Sequence, residues 1–304
     1  MKFYINENFE DKTSGKLKFL SVLSLVLQDL GLKNNKNEPD VLLHIGRNYD
    51  SYINKSKLIC RLDGLNINTD YDYKKSNSKI FKGIKSSDAI IYQNEFCNKA
   101  YESYFPQLKK YKHACILNGN YIRSDKNKDG NFIANVKWRP HKRAKETAIS
   151  FVEACKKGLD KKLFITGLVD KYDIIKHPNI VYTGWIQDVE LKNRLHRCSH
   201  GLHFAWLDWC PNSVVEYICN GMSVVYTSSG GTGFIVKNNG IPVIDELWDF
   251  KPHRLYDPPK LNIDLASSAI LDVHNINKIN NDHIDIYNIA KQYIAFFEEV
   301  CHAK

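Results

Sequence analysis

The sequence predicts an α/β protein built from two Rossmann-like domains. Its 304 residues are enough for two medium domains, and a composition of 43% hydrophobic and 25% charged residues is ordinary for a globular chain. Short apolar runs alternate with segments of helical period in two successive series, which is typical of doubly wound parallel sheets. A polar stretch at 125–131 separates the series. We therefore predict an N-terminal domain at 1–125 and a C-terminal domain at 126–286.

The first series fills the N-terminal domain. Its apolar runs predict strands at 1–6, 39–45, 57–62, 88–92 and 114–117. Segments with helical spacing lie at 17–32, 80–86 and 96–105. The segment 17–32 is strongly apolar, but it contains Lys18, Gln28 and Asp29, so it predicts a helix packed on a core and not a membrane span.

The second series repeats the pattern. Strands are predicted at 132–136, 162–166, 180–183, 201–205 and 223–226, and helices at 144–156, 189–198 and 213–220. Residues 251–264 contain three prolines and predict irregular structure, whereas 287–300 predicts a final amphipathic helix. In such sheets ligands bind beyond the carboxyl ends of the strands, so we expect the site in a cleft between the two domains.

Charge and cysteine content narrow the functional classes. The net charge of +9 fits a phosphate-bearing ligand, nucleic acid or an acidic membrane surface, and an ordinary solvated lysine surface explains it as well. The chain shows no motif of basic residues with interleaved aromatics, so we expect no nucleic-acid partner. The eight cysteines form no C-x-x-C pair, which favours reduced thiols in a cytoplasmic protein over disulfides or a zinc site.

The most informative segment begins at Asp208 and continues to a glycine pair, Gly230-Gly231. Asp208 and Glu216 are eight residues apart, with Pro211 between them. Proline suits the first turn of a helix, so Asp208 is expected in the loop before a helix and Glu216 about one and a half turns inside it. Both carboxylates could then reach a ligand at the helix N-terminus, where unpaired N–H groups favour anions.

This segment resembles the retaining glycosyltransferases of the GT-B fold, in particular family four, the glycosyl transferases group 1. The family motif has two glutamates separated by seven residues. The following positions keep its spacing, with Asp208 in place of the first glutamate: Pro211, Asn212, Glu216, Gly221, Gly230 and Gly231. The resemblance implies the GT-B fold, two Rossmann-like domains facing across a cleft, with residues 287–304 returning to pack on the N-terminal domain.

The resemblance also implies roles for individual residues. Asp208 would bind hydroxyls of the transferred sugar and support an oxocarbenium-like transition state, and Glu216 would bind the ribose. Arg139, Lys142 and Arg143 follow the first strand of the second domain, where the family places cations against the donor phosphates; which of them makes that contact stays open. The other implied donor contacts are Gly15, Gly184, Ile186, Pro211, Asn212 and Ser213. Asp63 would orient the acceptor on the N-terminal side.

No metal and no cofactor are expected beyond the donor substrate itself. GT-B enzymes stabilise the departing diphosphate with cations and backbone N–H groups, and the residues above supply both. Asp70-Tyr-Asp72 matches the D-x-D motif of metal-dependent transferases, but it lies in a polar loop outside that fold context. The eleven histidines show no H-x-x-x-H or H-E-x-x-H spacing.

The expected function is transfer of a hexose, with retention, from a UDP- or GDP-sugar to a hydroxyl of a glycan, glycolipid or similar acceptor. The alternatives are a nucleotide-sugar epimerase or hydrolase on the same fold, and a non-catalytic protein that binds sugar nucleotides. Peripheral contact with a membrane is a further expectation, since basic or amphipathic patches suit acidic bilayers. The sequence does not specify the base, the sugar, the acceptor, the linkage or the oligomeric state.

Overall fold

The computed structural model describes residues 1–7, 15–46, 56–123, 128–276 and 278–302. The chain divides into two compact units. The first comprises Met1–Tyr121, Phe250–His253 and His283–Lys304, and the second comprises Ile122–Asp249 and Arg254–Asp282. The domain boundary predicted at 125, with the first part of the predicted linker, lies outside the described residues.

The strands, in chain order, are β1 (Lys2–Ile5), β2 (Lys33–Asn34), β3 (Val41–His44), β4 (Lys57–Leu62), β5 (Ala89–Tyr92), β6 (Lys112–Cys115), β7 (Phe132–Asn135), β8 (Leu163–Thr166), β9 (Ile180–Gly184), β10 (His200–His203), β11 (Ser223–Thr227) and β12 (Gly240–Val243). The α-helices are α1 (Gly15–Asp29), α2 (Tyr73–Lys85), α3 (Glu95–Tyr104), α4 (Ala144–Lys156), α5 (Asp188–Arg197), α6 (Asn212–Cys219), α7 (Thr232–Val236), α8 (Ile263–Asp272) and α9 (Ile286–His302).

The first unit is a parallel α/β sheet in the order β2-β1-β3-β4-β5-β6. Strands β3 and β5 are buried along their whole length, which explains why they read as continuous apolar runs in the sequence. Leu23 and Leu27 of α1 share one core with Tyr293 and Phe297 of α9. The C-terminal helix therefore packs in the first unit, as the resemblance implied.

The second unit repeats this design in the order β12-β11-β10-β7-β8-β9, again with parallel pairing. Its core contains Phe132 of β7 and Phe151 of α4, whose ring centroids lie 5.4 Å apart. Helix α8 packs in the same core through Ala266 and Ile270. Two parallel sheets with flanking helices confirm the predicted fold class of two Rossmann-like units.

The structure corrects the sequence-based element bounds where a capping residue was not recognised. Helix α2 begins at Tyr73, seven residues before the predicted start, because the Asp72 carboxylate accepts a hydrogen bond from the Lys75 backbone N–H at 2.9 Å. Helix α8 begins at Ile263, inside the segment 251–264 predicted to be irregular, and extends beyond it to Asp272. Asn262 caps it by accepting from Leu265 N at 3.1 Å. No strand or helix was predicted at β2, β12, α7 or α8.

None of the helices in the described ranges is both long and apolar enough to cross a membrane. All eight cysteines lie within those ranges and are free thiols. Burial raises the pKa of the Cys60 and Cys198 thiols to about 12. These two cysteines therefore behave as small apolar core residues at neutral pH.

Candidate donor site in the second unit

The order of strands in the second unit makes one edge of its sheet a candidate site. From β7 the chain proceeds to β8 and β9 on one side, and then to β10, β11 and β12 on the other. The loops after β7 and β10 therefore diverge at a topological switch point, which is where open α/β sheets bind ligands. The predicted cations at 139–143 follow β7 and Asp208 follows β10, so the fold brings both segments to this point.

The loop that carries Asp208 is fixed by close packing. Leu207 adopts a left-handed backbone conformation, with φ +58°, which is uncommon for a non-glycine residue and is maintained here by burial. The Asp208 carbonyl accepts a hydrogen bond from Gly231 N at 2.7 Å. A Cβ atom on Gly230 would lie 2.6 Å from that same carbonyl oxygen. The glycine pair of the motif thus allows one loop to lie directly against the other.

The Asp208 carboxylate is bound by three protein groups. Its Oδ2 atom forms an ion pair with Nζ of Lys142 and lies 3.0 Å from Nε2 of His203. Its Oδ1 atom accepts from the backbone N–H of Trp209 at 3.0 Å. The side chains of Lys142 and Asp208 are only 14% and 16% exposed, so the pair is largely shielded from water but still reaches the surface.

The surroundings keep this carboxylate ionised. Burial alone would raise the pKa of Asp208, but the nearby Lys142 ammonium and the hydrogen bond with His203 outweigh it and hold the pKa well below its usual range. Burial lowers the pKa of His203, and the opposing effect of Asp208 does not reverse this. At neutral pH the group is therefore a carboxylate, an ammonium and a neutral imidazole.

Arg143, unlike Lys142, is not accessible to solvent. Its guanidinium is fully buried and makes a bidentate contact with Asp245, with Nη1–Oδ2 at 2.8 Å and Nη2–Oδ1 at 3.2 Å. Nη2 also donates to the carbonyl of Pro259 at 2.6 Å. Asp245 in turn accepts from the hydroxyl of Ser229 at 2.9 Å. Arg143 thus links the start of α4 to the loop that contains the glycine pair, and its donors point into the protein.

Lys142 and Arg139, the other two predicted cations, lie closer to the surface than Arg143. Lys142 is the last residue of a short 3-10 helix, Pro140–Lys142, and Arg139 precedes that helix in extended conformation. Arg139 is exposed. His141 lies between them in the chain and is buried. Its ring stacks on that of Tyr256, with the two ring centroids 5.5 Å apart. Of the three cations named from the sequence, Lys142 and Arg139 are the ones that solvent can reach.

Helix α6 begins beside this group. Pro211 is its N-cap, in extended conformation, and its carbonyl accepts from Val214 N at 3.0 Å. Asn212 and Ser213 form the first turn, so their backbone N–H groups lie at the N-terminus of the helix. Glu216 lies one turn further and is half-buried. The motif spacing thus puts a helix N-terminus between the two acidic residues.

The end of β9 forms a second part of the same edge. Gly184 has φ +65°, and its carbonyl accepts from Gly167 N, at the end of β8, at 2.8 Å. Trp185, next in the chain, is 73% exposed, and Leu168, which follows Gly167, is 75% exposed. Ile186 is half-buried. Large apolar side chains thus face solvent immediately beyond two neighbouring strands.

The two predicted site residues of the first unit lie at its own sheet edge. Gly15 is exposed and is the first residue of α1. Asp63 follows β4, and its carboxylate pairs with the fully buried Arg61. Burial raises the pKa of Asp63 even though Arg61 opposes the shift. Arg61 also donates to the Asn118 side chain, and to the Tyr293 hydroxyl at 3.0 Å.

The D-x-D sequence has a structural explanation. Asp72 caps α2 and the backbone N–H of Asp70 donates to Asn68 Oδ1 at 3.1 Å. Both aspartates are exposed. Turn formation and helix capping therefore account for these two residues.

Sequence reasoning missed His203 and Asp245. Each is a polar residue next to or within an apolar strand segment: His203 ends β10, and Asp245 comes two residues after β12. A histidine in a strand that otherwise predicts full burial was the available signal for the first. No local pattern points to Asp245, since its contact with Arg143 joins residues 102 positions apart.

Comparisons with known proteins give a result only at the level of structure. No protein-family model matches the chain, and no curated protein sequence matches it.

Several solved structures are similar over the whole chain. AviGT4, a glycosyltransferase involved in avilamycin A biosynthesis, is 13% identical with a TM-score of 0.67, over 100% of this chain and 98% of that one. HepE from Anabaena, solved with UDP-glucose, is 12% identical with a TM-score of 0.62, over 98% and 99%. Sucrose-phosphate synthase from Thermosynechococcus elongatus is 11% identical with a TM-score of 0.61, over 99% and 96%. At these identities the likeness establishes the fold: the chain has the two-unit Rossmann-like architecture of these glycosyltransferase structures.

Proposed function

We propose that the chain is a retaining glycosyltransferase that moves a hexose from a UDP- or GDP-sugar to a hydroxyl of a glycan, glycolipid or similar acceptor. The observation that carries the proposal is the Lys142–Asp208 pair at the switch point of the second unit, beside the N-terminus of α6. A cation, a carboxylate and the backbone N–H groups at the start of a helix together match the charges and hydroxyls of a sugar nucleotide. The fold shared with known glycosyltransferase structures supports this choice.

Departure of the nucleoside diphosphate is the step at which the protein must stabilise the most charge. Negative charge accumulates on the leaving phosphates, and preorganised donors that stabilise such charge are usually the largest contribution to catalysis. We assign this work to Lys142, Arg139 and the first-turn N–H groups of α6 at Asn212 and Ser213. Arg143 is assigned a positioning role instead, because its guanidinium is buried against Asp245. The role predicted for Gly15 toward the diphosphate stays a prediction.

The two acidic residues would bind hydroxyls and not transfer protons. Asp208 stays ionised, so it can accept hydrogen bonds from the transferred sugar. The carboxylate can also stabilise the positive charge that develops on the sugar ring. Glu216 would bind the ribose hydroxyls one turn along α6. We expect retention through same-face attack, in which the leaving phosphate takes the proton of the acceptor hydroxyl.

The exposed apolar residues after β8 and β9 suit the nucleobase. Gly184 bends the chain with a positive φ, and the Trp185 ring beyond it is exposed. An exposed aromatic ring can stack on any base, because each base presents a π face. Ile186 and the backbone of Gly184 would complete this contact. HepE was solved with UDP-glucose, which supports a uridine donor as the first to test.

The acceptor remains the least defined partner. Asp63 is the residue we assign to it, since its Oδ2 atom is buried and has no hydrogen-bond partner among the described residues. A buried oxygen atom that accepts no hydrogen bond lowers the stability of the fold, and a hydroxyl group of the acceptor substrate could donate to it. Peripheral membrane contact, which would suit a glycolipid acceptor, stays a prediction.

A panel of UDP- and GDP-sugars tests the proposal. The protein should release nucleoside diphosphate from at least one donor, faster with a suitable acceptor, and the product should keep the anomeric configuration of the donor. Glu216→Ala should lower turnover at least ten-fold, whereas Glu190→Ala, which removes an exposed ion pair on α5, should not. Turnover with neither UDP- nor GDP-sugars would contradict the proposal.

The products separate the alternatives. Free sugar without transfer would indicate a hydrolase, and an altered sugar on an intact nucleotide would indicate an epimerase. Tight binding without turnover would indicate a binding protein. Loss of activity with EDTA would contradict the metal-independent mechanism.

A further inference from the structure

We propose that His203 is a positioning residue for glycosyl transfer, whose Nε2–H group fixes the Asp208 carboxylate and leaves Oδ1 to receive a sugar hydroxyl. The inference rests on the function proposed above. Its starting observation is the 3.0 Å contact between His203 Nε2 and Asp208 Oδ2, five residues apart at the end of β10.

The environment of the imidazole selects one tautomer. The side chain of His203 is 1% exposed, and its Nδ1 atom is buried without a hydrogen-bond partner in the described part of the chain. A proton on Nδ1 would leave a buried N–H unpaired and would turn the bare Nε2 lone pair toward a carboxylate oxygen. Burial also opposes a second proton. The neutral Nε2–H form satisfies each of these conditions.

The carboxylate has few acceptor positions left. Each oxygen can accept about two hydrogen bonds. Lys142 and His203 occupy Oδ2, and the backbone N–H of Trp209 occupies one position of Oδ1. The second position of Oδ1 is then the one to which a substrate hydroxyl can donate. His203 thereby determines which oxygen faces the sugar.

Binding of a sugar nucleotide should make the hydrogen bond from His203 to Asp208 more important. The diphosphate of a sugar nucleotide carries two or more negative charges and competes with Asp208 for Lys142, which is partly exposed. His203 is buried and cannot be drawn away in the same manner. When Lys142 turns to phosphate, the Nε2–H group keeps Asp208 in place and ionised.

The test compares His203→Gln, whose amide can donate from a position close to Nε2, with His203→Leu, which is similar in size and has no donor. A hydrogen bond to a charged group is worth about 1.5–3 kcal/mol, so we expect His203→Leu to lower kcat about 10- to 100-fold. KM for the sugar nucleotide should change little, and His203→Gln should restore most of kcat.

The pH profile separates positioning from a purely structural role. Among the described residues, Lys142 acts on both members of this pair, and His141 and Arg139 carry charge or titrate close by. The substitutions leave all three in place. In His203→Leu the acidic limb of kcat should move to higher pH, because Asp208 loses a group that stabilises its ionised form. Equal loss of kcat in both variants, or a wild-type profile in His203→Leu, would overturn the inference.

A measurement on the unaltered protein covers the case in which a variant does not fold. Nitrogen NMR of the His203 ring should show a neutral Nε2–H tautomer throughout pH 5 to 8, and an Nδ1–H tautomer or an imidazolium would refute the contact. A wild-type protein that turns over no sugar nucleotide would contradict the proposed function, and with it the positioning role of His203 in transfer. The ring spectrum would still decide whether His203 donates to Asp208.

Discussion

At the scale of single residues, three neighbouring cations in the sequence have different environments. Arg139 is exposed, Lys142 is paired with Asp208 near the surface, and Arg143 is buried against Asp245. The sequence could show that cations gather after β7, because their positions in the chain are adjacent. It could not separate their roles, since the partner of Arg143 is distant in the chain and depends on tertiary packing.

The buried pair leads to a prediction about stability. Arg143→Met should lower the free energy of unfolding by about 3–5 kcal/mol, because it leaves the Asp245 carboxylate buried without its partner. Urea denaturation measures this. Arg139→Met, at an exposed position, should change the value by less than about 0.5 kcal/mol. If both substitutions had equally small effects on stability, Arg143 would not have the structural role assigned to it.

The exposed tryptophan leads to a prediction about donor affinity. Trp185→Ala should raise KM for the sugar nucleotide about 5- to 100-fold, since stacking of a base on an aromatic ring is worth about 1–3 kcal/mol. Trp185→Phe should retain most of the affinity, and Val189→Ala provides a control at another exposed apolar position nearby in the chain. An unchanged KM in Trp185→Ala would remove the ring from the donor site.

At the scale of elements, the sequence predicted the strands and helices that have an uninterrupted periodic pattern. Strand β4 and helix α4 were placed at their observed bounds, because each is a clear apolar or amphipathic run with a polar boundary. Strand β12 was missed, since it contains Pro242 and begins at a glycine, both of which are unusual within strands. Proline is tolerated there because β12 is an edge strand.

The contact between the Asp208 loop and the glycine pair can be tested with matched glycines. Gly230 and Gly221 both have positive φ, +81° and +69°, so alanine is strained at either position. Only at Gly230 would the new Cβ meet backbone, 2.6 Å from the Asp208 carbonyl oxygen, whereas at Gly221 nothing lies within 4 Å. Gly221→Ala should cost about 1 kcal/mol of stability and leave kcat unchanged.

Gly230→Ala should cost more stability than Gly221→Ala and should also lower kcat at least ten-fold, because it displaces Asp208. Denaturation and turnover measured on the same preparations check both statements. Equal effects of the two substitutions would mean that the close approach at Gly230 does not control the position of the carboxylate.

At the scale of the whole molecule, the fold was predictable because both units repeat one pattern of alternating strands and helices. The spacing of Asp208 and Glu216 predicted a helix that begins between them, and α6 begins there. The donor site itself stays a prediction. What the sequence could not supply was the side-chain network around Asp208. Lys142 follows β7 and His203 ends β10, so they meet at Asp208 only in the folded unit. The same holds for Arg143 and Asp245, which follows β12.

The buried histidines predict how stability depends on pH. Burial lowers the pKa of His44 to about 4 and that of His141 and His200 to about 3, from an ordinary value of 6.5. As pH falls below 6.5 the unfolded chain takes up protons that the folded chain does not, so stability is complete above 6.5 and is lost as pH falls toward the folded values. Between pH 7 and pH 5.5 each of these three histidines should lower the free energy of unfolding by about 1 kcal/mol.

Urea denaturation at pH 7 and pH 5.5 measures this loss. Carboxyl groups with ordinary pKa values remain largely ionised in that interval, so they contribute little to the change. His44→Gln should reduce the loss, because it removes one of the buried side chains that resist protonation in the folded chain. A free energy of unfolding that is equal at the two pH values would contradict the neutral, buried state of these side chains.

Calorimetric titration with UDP and GDP would show whether the switch point of the second unit binds the nucleotide of a sugar donor. We predict saturable binding of one of them and about 10- to 100-fold weaker binding by Lys142→Met, which removes the partly buried cation. Lys145→Met, an exposed lysine three residues further along the chain, should bind as the wild type does. Binding of neither nucleotide, or equal binding by wild type and Lys142→Met, would contradict this assignment of the donor site.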